Sequence, residues 1–177
     1  EIINADSMQV YKGMDIISAN PSKKQKKIVY HHLIDILKPT QEYSAAVFRK
    51  KALKIIKEIH KKEKLPLIVG GTGLYIKTLK EGLFDDKGKD EAYRKKLEEL
   101  AKLKGIAYLY KKLEKIDPET AAKIHHNDLR RIIRALEAYK VNKIPLSVLK
   151  TQRQGLEQNY EIKVFGIKRD RKELYLR

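Results

Sequence analysis

The sequence predicts an α/β fold with a parallel sheet, interrupted by an all-helical block. Three observations carry this expectation. Two apolar runs, Ile2-Ile3 and Pro66-Leu67-Ile68-Val69, each pass into small and polar residues, as buried parallel strands do where they end. Helical patterning follows each run, and the order strand, helix, strand, helix implies parallel pairing. Near Gly82-Leu83-Phe84-Asp85-Asp86 the pattern changes, and helical signals then follow one another without a strand. The expected division is an α/β core over 1–84 and 142–177, with residues 85–141 as an inserted helical subdomain.

The elements follow in order. Residues 2–5 read as a strand, and Lys23 to Lys27 as a basic loop after Pro21-Ser22. His31 to Ile36 reads as a short strand or extended segment. Ser44 then caps a helix to about Lys62, with Tyr43 and Phe48 at the positions of a hydrophobic staple. Ala52, Leu53, Ile55, Ile56 and Ile59 form its apolar stripe. Pro66 to Val69 reads as a second buried strand, and Gly70-Gly71-Thr72-Gly73 turns it into a helix from Leu74 to Lys80. A charged helix runs from Asp90 to about Leu103, Gly105 breaks it, and a second covers about 106–115. Asp117 caps a third, with Pro118 at its first position, and Asn127 opens a fourth to about Lys140. Pro145-Leu146-Ser147 starts a short helix, Lys150 to Asn159 reads as a loose polar segment, and Glu161 to Ile167 alternates like a strand. Asp170 caps a last helix.

The 177 residues hold 40 Lys plus Arg against 23 Asp plus Glu, a formal charge of +17. Such a surplus favours a polyanion, through counterion release from phosphates. Enrichment of both Lys and Glu in thermophiles accounts for part of it, but Lys outruns Glu here. With no cysteine, disulfides, thiolate zinc sites and cysteine nucleophiles are excluded. No apolar run approaches the ~18 residues of a spanning helix, and no secretory signal is visible, so the reading is a cytoplasmic monomer off the membrane. The sequence opens on Glu1 within an apolar strand and stops within a helical pattern. It is expected to be a stretch of a longer protein.

Asp6 sits where a strand ends, the place at which open α/β sheets gather their chemistry. Alone it would read as a turn or cap residue. Gly70-Gly71-Thr72-Gly73 permits close backbone approach and a helix N-terminus, though a tight turn explains it as well. It is no P-loop, because no Lys-Ser or Lys-Thr follows. Arg130, Arg131 and Arg134 share one arc of a helix whose apolar stripe is Leu129, Ile132, Ile133 and Leu136. By itself that arc would be a solvated basic face. The pairs His31-His32 and His125-His126 lack a third ligand at helical spacing and read as structural rather than as a metal site.

The run Asp6-Ser-Met-Gln-Val-Tyr-Lys-Gly-Met-Asp15 resembles the signature of tRNA dimethylallyltransferases, also called tRNA isopentenyltransferases. The resemblance continues through His31-His32-Leu33-Ile34-Asp35, Tyr43 to Arg49, Pro66 to Tyr75, Asp117-Pro118 and Ile124 to Tyr139. Several separate motifs in family order cover nearly the whole chain.

The resemblance implies a P-loop nucleoside-triphosphatase-like core that is incomplete here and uses no nucleotide energy source. It implies transfer of a dimethylallyl group from dimethylallyl diphosphate to the exocyclic amine of the adenine 3′ to the tRNA anticodon. Asp6 would be the general base, with Ser7, Met8 and Gln9 against the adenine, which must swing out to be reached. Thr72, Arg94 and the segment Arg130, Arg131, Ile132, Ile133 and Arg134 would contact tRNA. Arg171 would meet the donor's diphosphate, with Arg169 and Arg177 as alternatives. Mg2+ would be held with the diphosphate by the family's P-loop, which has no counterpart in these residues. The stretch alone is therefore expected to bind tRNA weakly and transfer no prenyl group. Two rivals stand beside this reading: an adenylate isopentenyltransferase making free cytokinin, and a non-catalytic basic RNA-binding module.

Overall fold

The computed structural model describes residues 1–84 and 88–176. The pattern change at Asp85-Asp86 and the alternative diphosphate ligand Arg177 lie outside the described residues.

Three parallel strands form the sheet: β1 (Ile2–Asn4), β2 (His31–His32) and β3 (Leu67–Val69), in the order β2-β1-β3. In β1, Ile2 pairs with His31 and Leu67, and Ile3 pairs with His32 and Ile68. Side chains alternate across the sheet, so Ile3 and Ala5 point into a core built with Phe48, Ala52, Ile56 and Ile59. Those four lie on α2 (Ala45–Lys61), whose N-cap Ser44 accepts a hydrogen bond from the Val47 amide. Tyr75 and Leu79 of α3 (Gly73–Lys80) complete this core. Tyr43 and Phe48, expected to staple the helix start, both meet the Tyr75 ring. Phe48 stacks on it at 4.4 Å and Tyr43 meets it edge-on at 6.1 Å.

The strand expected to be buried at 66–69 is only half so. Leu67 and Val69 are 50% and 53% exposed, because β3 is an edge strand and these two alternate away from α2 and α3.

The basic loop expected at 23–27 is instead helix α1 (Lys23–Ile28). Ser22 and Gln25 form a reciprocal capping box that closes its first turn, a local signal that outweighs the run of lysines. The helix buries no residue.

The helical block comprises α4 (Glu91–Lys104), α5 (Ile106–Ile116), α6 (Pro118–Ala122), α7 (Leu129–Asn142) and α8 (Leu146–Thr151). Its core is separate from that of the sheet and includes Leu97, Leu109, Leu113, Ile132 and Leu136. Asp117 caps α6 as expected, through the Thr120 amide at 3.0 Å. Its second oxygen accepts the Ser147 amide of α8 at 2.9 Å, so one carboxylate ties two helix starts together. The fourth helix opens on Asp128 rather than Asn127. Leu146 and Leu149 of α8 join the helical core, so the apolar boundary runs past the position, 142, that the sequence pattern indicates.

Two expectations fail in the C-terminal part. Lys150 to Asn159 is anchored rather than loose: Leu156 is buried in the sheet's core within a 3-10 turn over Leu156–Gln158. At Gly155 a Cβ would collide with the Lys80 carbonyl, so the backbone packs directly against the end of α3. Glu161 to Ile167 forms no strand, and Val164, Phe165 and Ile167 are 65%, 87% and 98% exposed. Alternation makes a strand only where a partner edge is present, and no described strand lies beside this segment. The last helix, α9 (Arg171–Tyr175), starts at Asp170 as expected.

Candidate functional site

The candidate site grows from the end of β1. Asn4 is buried there, and its amide nitrogen donates to the Leu33 carbonyl at 3.2 Å. Its Oδ1 accepts the Asp6 amide at 3.2 Å, which turns the chain out of the strand. Asp6 then folds over its own loop, with Oδ1 accepting the Met8 amide at 2.7 Å and the Gln9 amide at 3.3 Å. The carboxylate is thus oriented by backbone. Its second oxygen takes no hydrogen bond among the described residues.

The turn after β3 packs against this loop. A Cβ on Gly70 would collide with the Ala5 backbone, so only glycine lets the two strand ends meet. The Thr72 amide donates to the Ala5 carbonyl at 3.2 Å, and the Thr72 hydroxyl accepts the Ser7 amide at 2.9 Å. Asp6, Ser7 and Thr72 are therefore brought together. Gln9 holds the outer loop by donating to the Ser18 and Ala19 carbonyls at 3.0 and 3.3 Å. Met8 is 47% exposed. Asp6 and Gln9 line a cleft of about 300 Å³ with Asn4, Asn20, Gln25 and His31. Tyr75 stands behind the loop. Burial, and then the negative ends of Tyr11 and Asp6, raise its phenol above the ordinary tyrosine range, so it stays protonated. A carboxylate held by two amides, with an oxygen left over beside a cleft that Ile2, Ile34 and Val69 also line, is equipped to take a proton from a docked N–H group.

The arginines form a second region, on the helical block. Arg130 and Arg131 are exposed, and Arg131 leans on Asp128 at 3.3 Å. Ile132 and Ile133 are in the helical core, 0% and 6% exposed. They form the buried stripe, so direct side-chain contact with tRNA is closed to them. Arg94 and Arg134 both bind Glu137, at 2.7 and 2.8 Å from Arg94 and at 2.7 Å from Arg134. Glu137 is fully buried. Burial alone would raise its pKa. The Arg94 guanidinium, the Asp90 amide and Arg134 outweigh that and hold it below the ordinary value. Sequence reasoning missed Glu137, although an acid inside an apolar stripe is a signal that a cation faces it.

Arg171 is exposed at the first position of α9 and does not line the cleft around Asp6. The histidines are tied locally: His32 to Glu1 at 2.7 Å and His31 to the Val29 carbonyl at 2.8 Å. His125 and His126 stack on each other. Among the described residues no group of three or more His, Asp or Glu side chains could hold a metal ion, so they do not by themselves form a magnesium site. Nor is any described helix long and apolar enough to cross a membrane.

Comparison with known proteins adds to this geometry. The family model described as IPP transferase matches residues 9–177. The chain is 50% identical to a tRNA dimethylallyltransferase of Carboxydothermus hydrogenoformans, over 100% of this chain and 57% of that protein. It is 48% identical to a tRNA dimethylallyltransferase of a Thermoanaerobacter species, over 99% and 56%. Among solved structures, a eukaryotic dimethylallyltransferase acting on tRNA superposes with a TM-score of 0.73 and 32% identity. That match covers 89% of this chain and 40% of the other. A tRNA isopentenylpyrophosphate transferase of Staphylococcus epidermidis superposes with a TM-score of 0.52 and 37% identity, over 99% and 57%. The chain thus spans about 57% of the length of the curated relatives it matches.

Proposed function

The chain belongs to the IPP transferase family, and from that premise we propose that the protein is a tRNA dimethylallyltransferase. Its donor is dimethylallyl diphosphate, and its acceptor is the N6 amine of the adenine 3′ to the tRNA anticodon. The observation that carries the reading is the Asp6 carboxylate, held at the end of β1 by the Met8 and Gln9 amides beside a cleft of mixed polar and apolar lining.

The chemistry needs such a group. The N6 lone pair is delocalised into the adenine ring, so the amine is a weak nucleophile. As it attacks the first carbon of the dimethylallyl group, the new carbon–nitrogen bond forms and the carbon–oxygen bond to diphosphate breaks. The electron pair leaves with the diphosphate, and the extra N6 proton passes to Asp6. Ser7, Met8 and Gln9 frame the adenine, with Thr72 holding the Ser7 amide in place. Mg2+ would be held chiefly by the diphosphate, where it would offset the charge of the leaving group; no cluster of side chains among the described residues would hold it. Arg171 joins the diphosphate only if the 161–170 segment packs against the sheet. In this reading the sheet residues form the catalytic core, the helical block carries the tRNA contacts, and the protein works as a cytoplasmic monomer.

The exposed Arg130 and Arg131 and the charge of +17 support a macromolecular acceptor over free adenylate. The test is transfer of labelled dimethylallyl by the full-length protein to unmodified tRNA and to AMP. The reading expects label in tRNA, lost when the target adenine is replaced. Label in AMP alone would identify the adenylate enzyme, and no label in either would leave the RNA-binding module.

A further inference from the structure

We propose that Arg49 is a positioning residue, which pins the crossing between the sheet and the helical block and so sets where a tRNA held by that block presents its adenine to Asp6. The inference rests on the tRNA reading above.

The chain passes between the two cores twice. Leu79 of α3 lies in the sheet's core, and Phe84 packs against the helical one. On the way back, Leu149 of α8 lies in the helical core and Leu156 in the sheet's. Neither core includes a buried residue of the other, which leaves the angle between them to the crossing. There the outward and return segments press backbone on backbone. A Cβ on Gly82 would collide with the Gln154 main chain, and one on Gly155 with the Lys80 carbonyl. Gly82 also has a φ of +86°, a conformation that favours glycine. Beside these contacts Arg153 Nη1 reaches Glu81 Oε2 at 3.4 Å.

Arg49 closes the crossing from α2, which belongs to neither segment. Its Nε donates to the Thr78 carbonyl at 3.1 Å, and its Nη2 donates to the Gln154 carbonyl at 2.5 Å. Thr78 stands in the last turn of α3, where carbonyls have no partner within the helix. Gln154 is on the return segment. One half-buried guanidinium thus binds α2, the end of α3 and the return segment together. The planar fork sets the angle between its acceptors, as the ammonium of a lysine on its flexible stem does not. Arg130 and Arg131 lie on the far side of this crossing from Asp6 in the chain, so a shift here moves the tRNA contacts relative to the base.

Arg49→Met keeps the apolar stem and removes both donors. In the full-length protein, the single-turnover transfer rate at saturating tRNA should fall by about tenfold to 10²-fold, the scale of a misplaced reacting group, with tRNA affinity unchanged. Spin labels on Lys57→Cys of α2 and Lys111→Cys of α5, both exposed positions, report the angle itself. Their distance distribution should broaden in Arg49→Met. A bond that only stabilises the fold predicts a lower melting temperature, with rate and distribution unchanged well below it. If Arg49→Met fails to fold, Arg49→Lys keeps the charge and loses the fork, and the same two changes are expected of it. A normal rate or an unchanged distribution in whichever variant folds overturns the inference. Weaker tRNA binding with a normal rate at saturation would make Arg49 a tRNA contact instead, and overturns it too. Transfer to tRNA by the unsubstituted protein leaves the functional reading intact in each of these cases. Failure of that transfer would overturn the reading, and the inference with it.

Discussion

The Ser7 amide donates to the Thr72 hydroxyl at 2.9 Å across 65 positions of sequence. This bond joins the loop after β1 to the turn after β3 and holds Asp6 between them. Thr72→Val keeps the shape of the side chain and removes the acceptor. It should lower stability by about 1 kcal/mol, read by urea denaturation, and also lower the transfer rate of the full-length protein. Thr72→Ser should restore both. Equal rates for the valine and serine variants would show that the hydroxyl does not organise the loop.

The exposed pair on α7 makes a different prediction. Arg130→Gln with Arg131→Gln should flatten the salt dependence of tRNA binding by about 0.7–0.9 in log–log slope per lost phosphate contact. Neither side chain is part of the core, so thermal stability should hold within about 0.5 kcal/mol. An unchanged slope would reduce this arc to a solvated face.

Asp117 gives a pH dependence. Burial would raise its pKa, but the Ser147 and Thr120 hydrogen bonds outweigh that and lower it below the ordinary value of 3.8. The unfolded chain therefore binds more protons than the folded one in that range, and stability rises with pH there. The contribution is complete above the unfolded value and is lost as pH falls through the folded one. Asp117→Ala removes the acceptor from two helix starts, at about 0.5–2 kcal/mol each. Melting curves from pH 6 down to about 3 should show a steeper acid loss in the unsubstituted protein than in the variant. Parallel curves would mean the carboxylate is not what ties α6 to α8.

Local chemistry was legible in the sequence, and distant pairing was not. Asp117-Pro118 announces a helix start within two residues, and Ser44 announces another. Ser22 and Gln25 carried the same kind of signal, hidden within a run of lysines. Glu161 to Ile167 has the alternation of a strand, yet strand formation depends on a partner edge that its own residues do not encode. The site divides the same way. Asp6, Ser7 and Gln9 are contiguous and stand out together. Glu137 acquires its meaning from Arg94, 43 positions away, and the placement of Arg171 depends on packing of the segment before it.

The central claim is that the Asp6 carboxylate takes the proton from the acceptor amine. It is tested most directly by a single-turnover comparison of Asp6→Asn with the unsubstituted full-length protein, at saturating tRNA and dimethylallyl diphosphate. Asparagine can still accept the Met8 and Gln9 amides, so the loop and the tRNA affinity should survive. The account predicts a transfer rate lower by about 10²–10⁴-fold with tRNA binding unchanged. A near-normal rate would contradict it and send the proton to another group.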